Sequence, residues 1–276
     1  MATVDMGLGL EGTHVLITGA AGFIGSACVT AFLSVGSNVT AVDINPSKLE
    51  LLPDHPNLFK AIADITSKEK LEATFEAARA KYGVVACCIA LASLDLSVLK
   101  HPESVLEMEA SQFQRTLEVN VLGTFITSQI WIRQLKMYGD PKVTRNASLV
   151  IVGSESGHFG EHRNPDYASG KSAVQYGLLQ SLKAAVPRIF EGARVNAIAP
   201  GPVDTPQFKK ECAENPKQLY EDTQATSASG KPVPTVAVAK GIVFLASESW
   251  SGSIVGQILN VDGGKFGKLM WEKDEL

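Results

Sequence analysis

A doubly wound α/β fold, with a parallel sheet of about seven strands and helices on both faces, is predicted by three observations. Short runs rich in Val, Ile, Leu and Ala alternate with helix-length amphipathic stretches along the whole chain. The first of these runs passes directly into a glycine-rich turn that opens a helix. Hydrophobic residues make up 45% of the 276 residues, enough to bury a large sheet, and that length is normal for a single α/β domain spanning 1–276.

The strands are read in order as His14–Thr18, Asn38–Asp43, Asn57–Ala63, Val84–Ala90, Ser148–Gly153, Arg194–Ala199 and Gln257–Val261. Each is short, apolar and followed by turn or helix-start residues. Ser26–Val35 reads as the first helix, another begins near Ser67, and the one that carries Tyr167 begins near Pro165. Thr205–Pro234 breaks the rhythm, being polar and rich in Lys, Glu, Ser and Pro. Beside the carboxyl end of a strand, it suits either a mobile substrate lid or an ordinary helical excursion. No internal repeat, long linker or low-complexity tract interrupts the plan.

Charge and hydropathy narrow the function classes. A net charge of −4 and a pI near 5.8, with acids and bases mixed along the chain, leave no basic stripe for nucleic acid. No window approaches the roughly eighteen consecutive apolar residues of a membrane span, and Met1–Leu10 lacks a basic n-region, so a soluble cytoplasmic protein is expected. The ending Lys273-Asp274-Glu275-Leu276 would be a retrieval signal in a lumenal protein; without an entry signal it is expected to be a solvated tail. The sequons at Asn38 and Asn146 each introduce a strand, where a glycan would obstruct folding. Cys28, Cys87, Cys88 and Cys212 have no metal-like spacing and read as reduced core residues.

The chemistry-bearing residues lie at strand ends. Gly19-Ala20-Ala21-Gly22-Phe23-Ile24-Gly25 allows a tight turn and close approach of a pyrophosphate to a helix N-terminus. Asp43, 24 residues beyond Gly19, ends the next strand before Ile44 and can accept from adenosine ribose hydroxyls. Its charge would repel a 2′-phosphate, so NAD is expected over NADP; a helix cap is its other reading, with Ser47 competing for that position. Asp64, followed by Ile65, either meets the adenine amino group or caps the next helix.

Tyr167 and Lys171, four apart, share one helix face. A phenol of pKa about 10 is only about 0.1% ionised at pH 7, and lowering it by three units takes roughly 4 kcal/mol, part of which a nearby cation supplies. Ser154 lies thirteen residues before Tyr167 at the end of the fifth strand, where it can hydrogen-bond a substrate oxygen; Ser156 is the rival. His158 and His162 sit in a glycine-interrupted loop without a third ligand, so no metal is expected.

With these motifs in place, the chain resembles the short-chain dehydrogenase/reductase family over nearly its whole length, in its single-domain branch. The resemblance rests on Gly19–Gly25, Asn120-Val121-Leu122-Gly123 in a long helix, Ser154 with Tyr167 and Lys171, Pro200-Gly201-Pro202-Val203-Asp204-Thr205, and Val261-Asp262-Gly263-Gly264. It implies a Rossmann fold and an NAD(P)-dependent alcohol dehydrogenase or carbonyl reductase. Tyr167 would be the general acid or base, and Lys171 would lower its pKa and hold the nicotinamide ribose. Ser154 would polarise the substrate oxygen, and Asn120 would keep a relay water. Pro200, Gly201, Val203 and Thr205 would wrap the nicotinamide, and the family suggests a homotetramer or homodimer.

Two departures from the family pattern stand out. The middle glycine, Gly22, comes one place early, as in extended members such as sugar-nucleotide epimerases, and puts Phe23 where a glycine is usual. The usual Asn-Asn-Ala-Gly after the fourth strand is replaced by Ile89-Ala90-Leu91-Ala92, so the backbone at Ala90 and Ala92 needs other support. Between serine and tyrosine, the polar run Glu155 to Asn164 suggests a small alcohol or ketone with several hydroxyls or an acidic group, or else charges at a solvated rim; Glu155 is the candidate substrate contact. The same fold also serves epimerases, dehydratases or cyclases without net redox turnover, and nicotinamide-sensing regulators, which need no acid/base pair.

Overall fold

The computed structural model describes residues 6–269; the terminal Lys-Asp-Glu-Leu lies outside them. Nine strands run β1 His14–Thr18, β2 Asn38–Asp43, β3 Leu58–Ile62, β4 Cys87–Ala90, β5 Ser148–Val152, β6 Arg194–Pro200, β7 Val203–Asp204, β8 Val233–Pro234 and β9 Ile258–Val261. The helices are α1 Phe23–Ser34, α2 Pro46–Glu50, α3 Lys68–Tyr82, α4 Ala110–Leu117, α5 Thr124–Tyr138, α6 Ser156–Phe159, α7 Pro165–Ser172, α8 Leu179–Ile189, α9 Pro206–Glu214, α10 Thr235–Ala246 and α11 Glu248–Ser251. π-Helical turns follow α4 (Glu118–Gly123) and α7 (Ala173–Leu178), each beside a candidate site residue.

Seven strands form one parallel Rossmann-like sheet in the order β3-β2-β1-β4-β5-β6-β9. The order reverses between β1 and β4, which opens a crevice at the carboxyl edge. Successive strand residues face opposite layers, and both layers are apolar. Leu16, Val42, Cys88, Leu149 and Ile151 pack with Phe75 and Trp131 on one side. Val15, Ile17, Val39, Ile89 and Val150 pack with Phe32 and Ile242 on the other.

The predicted strands of the sheet differ from the observed ones by at most one residue at either end, except at the amino end of β4. Val84–Ala86 is apolar but lies outside β4: Gln134 takes the backbone of Val85, with Val85 N donating to Gln134 Oε1 (3.3 Å) and Gln134 Nε2 returning to Val85 O (2.8 Å), while Ala86 still bonds His14 O and Ser148 N. The first helix starts at Phe23, three residues earlier than Ser26. Cys28, Cys87 and Cys88 are buried free thiols, whereas Cys212, on the excursion helix α9, is half-buried and corrects the reading of four core cysteines. Asn146 is buried, with Nδ2 on Gly9 O (2.7 Å) and Thr13 Oγ1 (3.0 Å), so a glycan there would break the fold. No helix among the described residues is long and apolar enough to cross a membrane.

Thr205–Pro234 leaves and re-enters the fold at one point, where β7 pairs in parallel with β8 as a two-stranded ribbon (Val203 with Val233). Within the excursion, Ser227 bridges Lys265 and Phe266 N donates to Thr226 O (3.1 Å), so it rests on the segment after β9.

His14, buried in β1, gives the fold a pH dependence. Gly83 O can only accept, so Nδ1 carries the proton towards it (2.8 Å) and Nε2 accepts from Thr40 Oγ1 (2.9 Å). Burial pushes the imidazole down to about 4, against the weaker opposing pull of the Gly83 and Val84 backbone. The folded state therefore resists a proton that the unfolded chain takes up below about pH 6.5. This contribution is whole above pH 6.5 and is lost as pH falls towards 4, an expected change of about 3 kcal/mol. Urea melts of the wild type and His14→Gln should diverge in pH dependence over that window; parallel curves would remove His14 as the cause.

Candidate active site

The glycine turn is built for close approach. Gly19 takes φ +69° at the end of β1, and a Cβ there would fall 2.7 Å from Ala92 Cα. A Cβ on Gly25 would fall 2.1 Å from Gly19 O, so only glycine lets α1 enter this close to the turn. Gly22 is the N-cap of α1 and offers no side-chain cap, which leaves the amino end at Phe23 and Ile24 open to an anion.

Asp43 ends β2 and holds both turns at this edge. Oδ2 accepts from Ala21 N (3.0 Å) and Oδ1 from Asn45 N (3.0 Å), leaving each oxygen a further lone pair. Neither Asp43 nor Ser47 caps α2: Asn45 does so, accepting from Lys48 N (3.0 Å). The exposed Ile44 beside Asp43 supplies an apolar surface for a base. Asp64 accepts from Thr66 N (2.9 Å) and Thr66 Oγ1 (2.7 Å) through Oδ1, a local turn rather than a cap at Ser67, and Ile65 is buried beside Gly123. A positive helix end, a ribose-ready carboxylate and an apolar shelf together fit a dinucleotide.

Thr18 replaces the missing asparagines. Its hydroxyl donates to Ile89 O (3.3 Å) and accepts from Leu91 N (3.1 Å) and Ala92 N (3.3 Å), clamping the chain from Ala90 to Ala92 onto the glycine turn. Asn120 holds the next step, with Oδ1 accepting from Leu94 N (2.7 Å) and Nδ2 donating to Leu94 O (2.9 Å). Its own carbonyl accepts from Thr124 Oγ1 (2.8 Å), and its Cβ lies 3.4 Å from where a side chain on Gly170 would begin. The buried amide thus anchors the loop from one side of α7.

Ser154, Tyr167 and Lys171 converge in the interior next to the carboxyl end of β5, and all three are buried. Burial pushes the Tyr167 phenol well above its ordinary value; the Ser154 hydrogen bond draws it down, while Asp95, Glu161 and Glu155 raise it. Lys171 Nζ donates to Val152 O (3.0 Å) and lies 5.6 Å from the Tyr167 ring centroid. Burial brings this ammonium down to about 8, with Asp95 opposing. Ser156, the rival serine, instead donates its N–H to Ser154 Oγ (3.1 Å) and fixes that hydroxyl.

Two members of this site went unread in the sequence. Gln175 Oε1 accepts from Ser154 N (2.9 Å); the signal was its spacing, four residues after Lys171 on the same face. Asp95, in the loop after β4, lies in the field of both Tyr167 and Lys171, and no local signal marks it.

The carboxyl ends of β6 and β7 complete the crevice. Pro200 ends β6, Gly201 N donates to Val261 O (3.1 Å), and Val203 starts β7. Thr205 caps α9 by accepting from Phe208 N (3.0 Å), which leaves its hydroxyl proton to donate. Glu155, which is buried, and Glu161, which is half-buried, read as pocket or rim, belong to a charged cluster with Lys265, Lys268 and Asp222. Glu155 Oε2 lies 3.2 Å from Lys265 Nζ, an ion pair between two buried groups. His158 Nε2 and Nδ1 meet Asn260 Oδ1 (3.0 Å) and Tyr176 Oη (2.6 Å), which places it in a side-chain network.

Known proteins resemble this chain in sequence and in fold. A family model described as enoyl-(acyl carrier protein) reductase matches residues 19–265. The chain is 28% identical over 257 residues to dehydrogenase/reductase SDR family member 6 of Danio rerio, covering 92% of this chain and 98% of that protein. It is 30% identical over 259 residues to cis-4-hydroxycyclohexanecarboxylate dehydrogenase of Sinomonas cyclohexanicum, covering 90% and 94%. A solved structure from Brucella melitensis, a short-chain dehydrogenase/reductase described as glucose/ribitol dehydrogenase, shares the fold at a TM-score of 0.79 and 22% identity, covering 93% and 98%.

Proposed function

Because the chain belongs to the short-chain dehydrogenase/reductase family, we propose that it passes a hydride between NAD and a secondary alcohol or ketone, with Tyr167 exchanging the proton. The observation that carries this reading is the buried convergence of Ser154, Tyr167 and Lys171 beside the carboxyl end of β5. Bound NAD supplies the hydride-accepting ring carbon and, when oxidised, a positive charge. Gly22, Phe23 and Ile24 would face its pyrophosphate, Asp43 its adenosine ribose, and Val203 and Thr205 its carboxamide end. Ser154 Oγ holds the substrate oxygen towards Tyr167 Oη, which gives up its proton in reduction and takes one in oxidation.

Lys171 keeps a charge next to that phenol without spending it on an ion pair, since its bond goes to a carbonyl. Thr18 and Asn120 hold the wall after β4, and the excursion 205–234 closes over the crevice as the substrate lid. Exposed Leu122, Phe125 and Tyr176 on the long helices support a homo-oligomer.

The test is the change in reduced-nicotinamide absorbance with NAD or NADP over a panel of polyols, cyclic alcohols, hydroxy acids and aromatic ketones. Turnover with NAD is expected; loss of every substrate signal would overturn the redox reading. The early glycine Gly22 favours one alternative, a retained-cofactor epimerase, dehydratase or cyclase, which would form product with no net absorbance change.

A further inference from the structure

We propose that Lys268 and Ser156 form a receptor for a carboxylate on the substrate, occupied by Glu161 until the substrate takes its place. This rests on the reading of Ser154, Tyr167 and Lys171 as the reacting site, and it names the substrate class.

The receptor is visible because the chain fills it with a carboxylate of its own. Lys268 Nζ donates to Ser156 Oγ (3.0 Å) and to Glu161 Oε2, and the Ser156 hydroxyl donates to that same Glu161 oxygen (3.3 Å). An ammonium and a hydroxyl thus converge on one carboxylate oxygen, the donor set that recognises a bound acid. The Lys268 side chain is only 11% exposed, and an ammonium so buried requires a partner. Ser156 joins this receptor to the reacting centre through its own N–H on Ser154 Oγ, and the charge of Glu161 is felt at the Tyr167 phenol.

Glu161 is placed to leave. It follows Gly160, which has φ +84°, in the irregular segment between α6 and α7, so a few backbone rotations move it. Glu155 is fixed by comparison: its N–H bonds Pro200 O (2.9 Å) and its carboxylate faces Lys265. The two donors, an ammonium and a hydroxyl, decide which ligand fits. The cluster sets Glu155, Glu161 and Asp222 against Lys265 and Lys268, an excess of one acid. In keeping with this, burial pushes Glu155 up to about 6 and raises Asp222, with Glu161 adding to the latter. Exchanging Glu161 for a substrate carboxylate leaves the charge unchanged. A neutral ligand in its place would leave Lys268 the more distant Glu155 Oε1 (3.9 Å) in exchange for a direct bond to a carboxylate, and a cation would meet a like charge.

Isothermal titration calorimetry of the full chain with benzoate and butanoate, against benzamide and butanamide, tests this without turnover. Wild type should bind the acids at least about tenfold more tightly than the amides. Lys268→Gln should abolish that difference, and Glu161→Gln should tighten the acids several-fold while leaving the amides unchanged. Should Lys268→Gln fail to fold, Glu161→Gln carries the test alone. Equal binding of acid and amide, no measurable binding of either acid, or weaker acid binding by Glu161→Gln would overturn the receptor. A chain that binds acids yet oxidises no alcohol fails the oxidoreductase reading alone. One that oxidises neutral alcohols and binds no acid fails only this one.

Discussion

Replacing Tyr167 with phenylalanine is expected to lower kcat by about 10³-fold, within the range for losing a positioned acid or base, while NADH affinity changes less than about threefold. The ring is buried, so Phe keeps its packing and removes only the hydroxyl that meets Ser154. Burial and the acids Asp95, Glu161 and Glu155 keep the phenol protonated at neutral pH, which makes it a loaded proton donor for carbonyl reduction. Lys171, brought down to about 8, is charged below that pH and neutral above it. Ketone reduction in the wild type should therefore fall as pH rises through about 8. Steady-state kinetics and fluorescence titration with NADH check both points; a Tyr167→Phe enzyme within tenfold of wild type would remove the phenol from the reaction.

Legibility in the sequence follows the range of the interaction that makes each feature. β1 and β2 were read to the residue because strand periodicity and the turns that follow are local. Ser154, Tyr167 and Lys171 were legible because strand ends and helix faces place them from spacing alone. Thr18 was not, since its role depends on β1 lying beside β4, a neighbour 71 residues away. Asn120 is legible from its motif, but its partner is the Leu94 backbone, which leaves no mark in the side-chain pattern. The charged cluster was read from one side only: Glu155 and Glu161 sit in the polar loop, while Lys268 arrives from 107 residues beyond Glu161. Lysines in a glycine-rich segment near the chain end look solvated until the sheet carries that segment back over the pocket.

Substituting Asp43 is expected to have the second-largest effect, because one side chain serves both cofactor choice and the geometry of the turn. A hydrogen bond to a charged group contributes about 1.5–3 kcal/mol, equivalent to roughly ten- to hundredfold in affinity. Asp43→Asn keeps an oxygen for Ala21 N or Asn45 N and removes the charge that would oppose a 2′-phosphate. It should therefore narrow the ratio of NADPH to NADH dissociation constants about 30-fold, mainly by improving NADPH. Asp43→Ala should do more: with both N–H groups deprived of their acceptor, the glycine turn loosens, NADH affinity falls at least about tenfold and Tm drops. The difference between the two variants separates charge from scaffolding. Titrations in which Asp43→Asn leaves the ratio unchanged would take Asp43 out of the ribose site and leave it a purely structural clamp between β2 and the turn.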